Sequence, residues 1–344
     1  MRRMKNDARS YAGSAVGLLL AALFLTLTFR GMDIGHLWGM LRAVPVATVA
    51  AMAVASLAGL VLRGLRWYYL LPDPRPGEGL AVQRALALGY GVNNIASRVG
   101  ELVRIYVMRR DSGRGYAALT ASVAADRLAF DSLIFAAMVA FSLAGFRAPL
   151  LEAFPRLGSA VPMFVAVTLV GLCGLFLLCL RPHWCKALLT AVGVSRIPFV
   201  WTRLVPLIDQ LALGLSPMKR PGAMVRLHAL NLAAWLAAYA NFVLVLDAFD
   251  IVASPAQTLM LFTVTSFGFL LPSPGGMGTV HYFMIFGCTT FLGTEEPVAA
   301  AAATLCHGVN FLVLSAAAVA AFFIRPRVAA PAPTPAPAPP PHPA

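Results

Sequence analysis

Acidic residues are scarce: 14 Asp and Glu stand against 27 Lys and Arg, and only 12% of the 344 residues are charged. A soluble domain is about a quarter charged and about half apolar, whereas this chain is 59% hydrophobic with a mean hydropathy of +0.77. That balance excludes a soluble globular fold and leaves a polytopic membrane protein. Cysteine is also sparse, with 5 residues and no CxxC pair. Cys173, Cys179, Cys288 and Cys306 fall in apolar stretches and Cys185 just outside one, which reads as buried packing rather than a disulfide framework or metal site. There is no Walker loop, no HExxH and no Asn-x-Ser/Thr acceptor, so no cofactor or metal is signalled and no enzyme activity is expected. The net charge of +13 would suit nucleic acid, but the basic residues cluster between apolar spans instead of along one polar face. Topology signals are distributed that way, and nucleic acid is not an expected partner.

What the sequence does have is long apolar runs. Spans are expected at about 11–29, 45–62, 117–144, 162–180, 223–246 and 298–324, each long enough for roughly 30 Å of hydrocarbon. They lie in an integral membrane domain over 11–328, preceded by a basic stretch, 1–10, and followed by an Ala/Pro-rich tail, 329–344, with nothing to bury. The second span ends in Arg63, Arg66, Trp67, Tyr68 and Tyr69, a set that suits a membrane interface. A helix at about 200–215 carries Trp201, Leu204, Ile208 and Leu211 on one side and Arg203, Asp209 and Gln210 on the other. It reads as lying in the interface plane.

Two apolar regions are interrupted. Residues 257–292 would form one helix, but Leu270 to Thr279 holds Pro272, Pro274, Gly275, Gly276 and Gly278. The halves are about 15 and 13 residues, or about 20 Å each at 1.5 Å per residue, too short to cross. Residues 83–110 likewise hold two short patches separated by Asn93 to Glu101. Broken helices at membrane depth are tolerated only where protein or a water-lined cavity covers the freed backbone groups.

Counting charges sets the orientation. With the N-terminus inside and both interrupted pairs re-entrant, 21 of the 27 Lys and Arg residues lie inside, and only Arg30, Arg42, Arg147 and Arg156 lie outside; Arg127 and Arg226 fall within spans. The N- and C-termini are then cytoplasmic. Residues 45–144 and 223–324 share one order (span, interrupted pair, span) but start from opposite sides, as in an inverted-topology repeat. The expected fold is therefore an all-α polytopic bundle with two re-entrant helical hairpins. The tip of each hairpin is a candidate binding site near the midplane.

At the second tip, Gly275, Gly276 and Gly278 allow positive φ, and Thr279 could cap the helix starting near Val280 and leave its N-terminus for an anionic headgroup. Equally, the glycines could simply turn the chain. At the first tip, Arg98, Glu101 and Arg104 recur every three residues beside Asn93 and Asn94. The arginines offer forked donors for phosphate, while Glu101 could pair with them, meet a cationic group or take a proton. The third span contains Asp126, Arg127 and Asp131; Arg127 and Asp131 share a helical face and Asp126 should point elsewhere. His281 and His307 read more readily as packing residues than as a proton relay.

These residues form Asn93-Asn94-x-x-x-Arg98-x-Gly100-Glu101-x-x-Arg104, Asp126-Arg127-x-x-x-Asp131 and Pro272-x-Pro274-Gly275-Gly276-x-Gly278. Over residues 11 to 325 the chain resembles the flippase-like membrane domain also called the lysylphosphatidylglycerol synthase transmembrane region. It departs from that family at Ala96 and Ser97, where proline is usual, and at Asp126, where Glu is common. The resemblance implies movement of a phospholipid or lipid-linked product between leaflets of the bacterial inner membrane, with both hairpins facing one cavity. Members that aminoacylate phosphatidylglycerol carry a soluble transferase domain after the membrane part. Here the Pro-rich tail follows, so aminoacylation is not expected of this chain. A membrane-embedded accessory or transferase subunit in hopanoid, glycolipid or polyprenyl-linked sugar synthesis is the alternative. A separate lipid-modifying enzyme and a second copy of the chain are the protein partners this reading allows.

Overall fold

The computed structural model describes residue 19 and residues 21–27, 30–153 and 157–328. The basic start at 1–10, most of the first expected span and the tail at 329–344 lie outside the described residues; within that span, residues 21–27 are helical. Every regular element among the described residues is helical. In order they are α1 Ile34–Ala43, α2 Val46–Leu70, α3 Glu78–Ile95, α4 Gly100–Ser112, α5 Tyr116–Ala125, α6 Ser132–Ala153, α7 Leu157–Leu180, α8 Pro182–Ala191, α9 Pro198–Gly214, α10 Pro221–Ala248, α11 Pro255–Ser266, α12 Thr279–Leu292 and α13 Glu296–Phe323. Among the described residues, four stretches are long and apolar enough to cross a membrane: Val46–Leu70, Tyr116–Phe146, Pro221–Ala248 and Glu296–Phe323.

Helix α1 has no counterpart in the sequence reading, which placed a loop there. Asp33 starts it by accepting hydrogen bonds from the N–H groups of Gly35 and His36, satisfying two donors that a helix start otherwise leaves open. The long helices α2 and α10 form the central pair, and α13 packs along α3, α12 and α2. Five successive alanines, Ala299 to Ala303, are fully buried in α13. Alanine on every face lets neighbouring backbones approach from all sides, the packing that helices in lipid favour. Helix α9 presents Ile208, Ala212 and Leu215 inward as its stripe predicts, but against α5. Gly214 is part of that seam, since a Cβ there would lie 2.6 Å from the Ala118 carbonyl oxygen.

Both interrupted regions are helix pairs. Helices α3 and α4 pack on each other through Gly89 and Gly100. The turn between them, Ala96 to Val99, puts Arg98 at φ +66°, a conformation that a non-glycine residue seldom adopts. The second pair, α11 and α12, also packs side by side. Its connection is two 3₁₀ turns, Phe267–Leu270 and Pro274–Gly276, with positive φ at Gly275, Gly276 and Gly278. Thr279 does not cap α12. It is the first helical residue, the cap position is Gly278, and the Thr279 hydroxyl lies 2.8 Å from the Gly268 carbonyl and 2.7 Å from the Ser273 hydroxyl, tying the two turns together.

The turn between α2 and α3 is anchored by one buried carboxylate. Glu78 accepts from the Arg75 backbone N–H at 2.7 Å, from the Arg75 guanidinium, and from Nε and Nη2 of Arg114 at 2.7 and 2.8 Å. Burial raises the Glu78 carboxyl, but the hydrogen bonds from Arg114 and Arg75 and the Arg114 charge outweigh it, so it titrates below the usual carboxylate range. A depressed folded pKa contributes stability that is present above the unfolded value, about 4.3, and is lost as pH falls through the folded value. Melting curves in detergent should therefore show an acid-side loss for the parent that Glu78→Gln, less stable at neutral pH, largely lacks; parallel pH profiles would contradict this. The hairpin makes a separate prediction. A Cβ on Gly100 would fall 2.0 Å from the Gly89 carbonyl oxygen, whereas one on Gly308 meets nothing within 4 Å. Gly100→Ala should lower the melting temperature sharply, while Gly308→Ala should hold or raise it, by up to about 1 kcal/mol of helix propensity.

Candidate functional site

Six ionised side chains from three parts of the chain meet inside the bundle. Arg66 comes from α2, Glu101 and Arg104 from the first two turns of α4, and Asp126, Arg127 and Asp131 from the segment joining α5 to α6. That segment is a π turn, Asp126–Asp131. A π turn closes its hydrogen bonds from i to i+5 and appears mostly as a single turn within an α-helix. The wider turn brings Asp126 and Asp131, five residues apart, onto the same partner. Asp126 therefore does not point away from Asp131, as regular helical spacing predicts.

The contacts close into an alternating ring. Arg66 Nε donates to Asp126 at 2.7 Å and its Nη1 to Asp131 at 2.9 Å. Asp126 also accepts from Arg104 Nη2 at 2.9 Å, and Arg104 Nη1 lies 3.2 Å from Glu101. Glu101 pairs with Arg127, whose Nη1 reaches Asp131 at 2.6 Å and completes the circuit. Three cations and three anions alternate, each between two opposite charges, so the cluster carries no net charge. A lone ion in a low-dielectric interior is very costly, and pairing on both sides lowers that cost.

Neutral groups hold the ring in place. Asn231 of α10 accepts from Arg66 Nη1 and donates to the Phe130 carbonyl at 3.1 Å. Arg104 lies over the Trp67 ring at 4.3 Å, and Arg66 over Phe130 at 5.6 Å. The Trp67 indole N–H is in turn satisfied by Ser122 at 3.0 Å.

The ring has a dry side and an open side. Arg66 and Arg104 are 0% and 2% exposed, whereas the side chains of Glu101 and Arg127 are 28% and 36% exposed. The open side adjoins a crevice, too tight to hold a water, lined by Tyr90, Asn93, Gly100, Glu101, Arg104 and Arg127, among others. Arg66 Nη2 and Arg104 Nε have no hydrogen-bond acceptor among the described residues. Chemically, the forked N–H groups of Arg127 and Arg104 suit an oxyanion, and Arg66 and Asp126 lie on the dry side.

The two hairpin connections touch each other rather than this ring. Arg98 Nη2 donates to the Leu270 carbonyl at 2.6 Å. Asn94 is buried, donating to the Ser315 hydroxyl at 2.9 Å and the Phe311 carbonyl at 3.2 Å on α13. A Cβ on Gly275 would stand 3.2 Å from the Asn94 backbone, and one on Gly278 would lie 2.8 Å from the backbone of residues 21–27. Close packing therefore accounts for these glycines, and the start of α12 is covered by the helical residues 21–27. Asn93 accepts the Gly100 N–H at 2.8 Å, closing the first connection. Pro274 is buried in the second connection. His307 Nε2 lies 2.8 Å from the Gly275 carbonyl, an acceptor, so that nitrogen carries the proton; the His281 ring is 4.8 Å from that of His307.

Of the twelve candidate residues, the ring takes Glu101, Arg104, Asp126, Arg127 and Asp131. Asn94, Arg98 and Gly275 lie where the two connections meet. Arg98 does not share the face of Glu101 and Arg104, because it sits in the turn before α4. One ring member, Arg66, and the neighbouring Trp67 are not among those twelve. Arg66 and Trp67 read there as interface anchors but are completely buried. Asn231 carried a signal that went unused, since an amide within an apolar span is expected to hydrogen-bond another helix.

A family model described as the lysylphosphatidylglycerol synthase TM region matches residues 14–318. The chain belongs to this family. Neither a curated protein nor a solved structure matches it. Membership makes a membrane-embedded, lipid-related role the frame for the ring, in keeping with the resemblance that the three motifs carry.

Asp126→Asn leaves Arg66 and Arg104 each with a single carboxylate. Breaking a buried pair in this way typically costs about 3–5 kcal/mol, so the variant should melt far below the parent in a detergent thermal-shift assay. A variant that melts with the parent would show that the ring is not held ionically.

Proposed function

We propose that this chain moves an anionic or zwitterionic phospholipid, or a lipid-linked product, between the leaflets of a bacterial inner membrane, with both termini cytoplasmic. The observation that carries the reading is the electroneutral ring, open on the side of Glu101 and Arg127 and closed on the side of Arg66 and Asp126. A ring with no vacancy is a resting state. An entering phosphate displaces Glu101 from Arg127 and Arg104, because guanidinium forks donate to phosphate and to carboxylate oxygens in the same bidentate way. The released Glu101 carboxylate then meets a cationic group of the lipid or takes a proton, which keeps the site near neutral while the headgroup is inside.

The helix arrangement supports alternating access. Helices α3, α4, α11 and α12 have 18, 13, 12 and 14 residues, about 18–27 Å at 1.5 Å per residue, against about 30 Å of hydrocarbon. Both pairs fit re-entrant hairpins. Helix α3 packs on α13, and α11 packs on α6, so each pair leans on the closing span of the other half. An inverted-topology repeat would interlock in this way, and rocking one half against the other would expose the site alternately. On this reading the chain transports lipid without transforming it, and a separate enzyme makes the cargo.

Glu101→Gln in proteoliposomes tests the role. The parent should accelerate leaflet exchange of a short-chain fluorescent phosphatidylglycerol, and the variant should lose most of that acceleration while inserting normally. Exchange at the parental rate in Glu101→Gln would sink the assignment. In cells, an impermeant headgroup label should find the cargo stranded on the cytoplasmic leaflet of a deletion strain. Absence of the lipid product altogether would favour the biosynthetic accessory role instead.

A further inference from the structure

A cavity of about 480 Å³ lies apart from the ion ring, between the turn that follows α2 and the start of α10. Its lining includes Tyr69, Asp73, Pro217, Arg220, Gly222 and Arg226. Its volume falls within the range of ordinary small-molecule sites, about 300–1,000 Å³.

The two arginines of the lining are available. Arg226 lies over the Tyr69 ring at 4.2 Å and has no carboxylate partner among the described residues. Stacking on an aromatic face leaves the N–H edge of a guanidinium free for an oxyanion. Arg220 faces Asp73 only at 3.8 Å, with both side chains largely exposed, and such pairs contribute little and exchange readily.

The opposite wall is held firmly. Arg114 donates to the Pro72 and Asp73 carbonyls at 2.7 and 3.0 Å while its other nitrogens grip the buried Glu78. Asp73 is thereby kept at φ +42°, a strained conformation for an ordinary residue that Asp and Asn tolerate better than most. Its carboxylate sits at the cavity as a weakly paired anion beside Arg220. Arg226 lines the same cavity, so a phosphate that replaces the Asp73 carboxylate has a second guanidinium in its surroundings.

We propose that this cavity binds a phosphate group, carried by a membrane phospholipid or free in solution. Prolines and the Tyr69 ring beside two guanidiniums suit a phosphodiester with a glycerol body, and the cavity lies at the ends of two candidate spans, α2 and α10, where a lipid headgroup would be met. The site does not require that lipid crosses the membrane, and its test reads binding alone.

The full chain in neutral maltoside micelles is titrated with dihexanoyl phosphatidylglycerol, with inorganic phosphate and with phosphate-free dihexanoylglycerol, following heat on mixing. Saturable binding of the first is expected, with none of the third. Arg220→Gln combined with Arg226→Gln should weaken it about tenfold or more, the scale of lost charge-assisted hydrogen bonds. Asp73→Asn, which keeps the backbone conformation and removes the competing anion, should tighten it. Inorganic phosphate binding as well as the lipid would assign the site to the free anion, and much weaker binding would assign it to the lipid. Unchanged affinity in the double arginine variant would place any phosphate bound at the ion ring and overturn the proposal, as would equal binding of the phosphate-free glyceride or no effect of Asp73→Asn.

Discussion

Charge neutrality inside a low-dielectric bundle is the constraint on which this structure depends. Arg66, Arg104 and Arg127 are acceptable there because Glu101, Asp126 and Asp131 alternate with them, and the alternation closes only if three separate parts of the chain meet. The ring therefore ties α2 and α4 to the π turn, and Asn231 adds α10. Its members are positioning groups for one another before they are a site for anything else. The same closure creates the functional opportunity, because an assembly with each charge satisfied can exchange a partner only for a ligand of the same sign.

The two hairpin connections solve a different problem. Backbone groups freed by a broken helix need partners, and here Arg98 of the first connection satisfies the Leu270 carbonyl of the second, while the Asn94 side chain ties the first to α13 at the Phe311 carbonyl. Glycine is required at Gly275 and Gly278 by positive φ and by neighbouring backbone within about 3 Å of any Cβ. Gly275 brings the two hairpins into contact, Gly278 seats the second against residues 21–27, and the ring includes Glu101 and Arg104 of α4 in the first.

The turn after α2 shows how a buried carboxylate can be used without net attraction to a ligand. Glu78 gathers Arg75 and Arg114, and Arg114 in turn fixes the carbonyls of Pro72 and Asp73. Arg220 and Arg226 remain outside that network, on the opposite wall. Strong local pairing on one side and weak pairing on the other is what leaves positive charge available at this end of the bundle.

Composition and hydropathy are enough to assign the class of this protein and the position of its breaks. Long apolar runs and a shortage of charge left only a helical membrane bundle, and proline and glycine clusters marked both interruptions, because propensity and hydropathy act over neighbouring residues. The sequence also placed five of the six ring charges among the candidates, since ions within apolar stretches are conspicuous. How those charges pair follows from the packing of the helices. Arg66 looked like an interface anchor because burial is a property of what packs around α2, and Asp126 was turned toward Asp131 by a π turn whose widening depends on its partners. Helix α1 hid in a loop-like composition until Asp33 capped it, and Thr279, a plausible cap by position, was drawn instead to Gly268 and Ser273. Pairing across 60 or more residues, as in Arg66 with Asp126, is set by which helices become neighbours, and local sequence does not encode that.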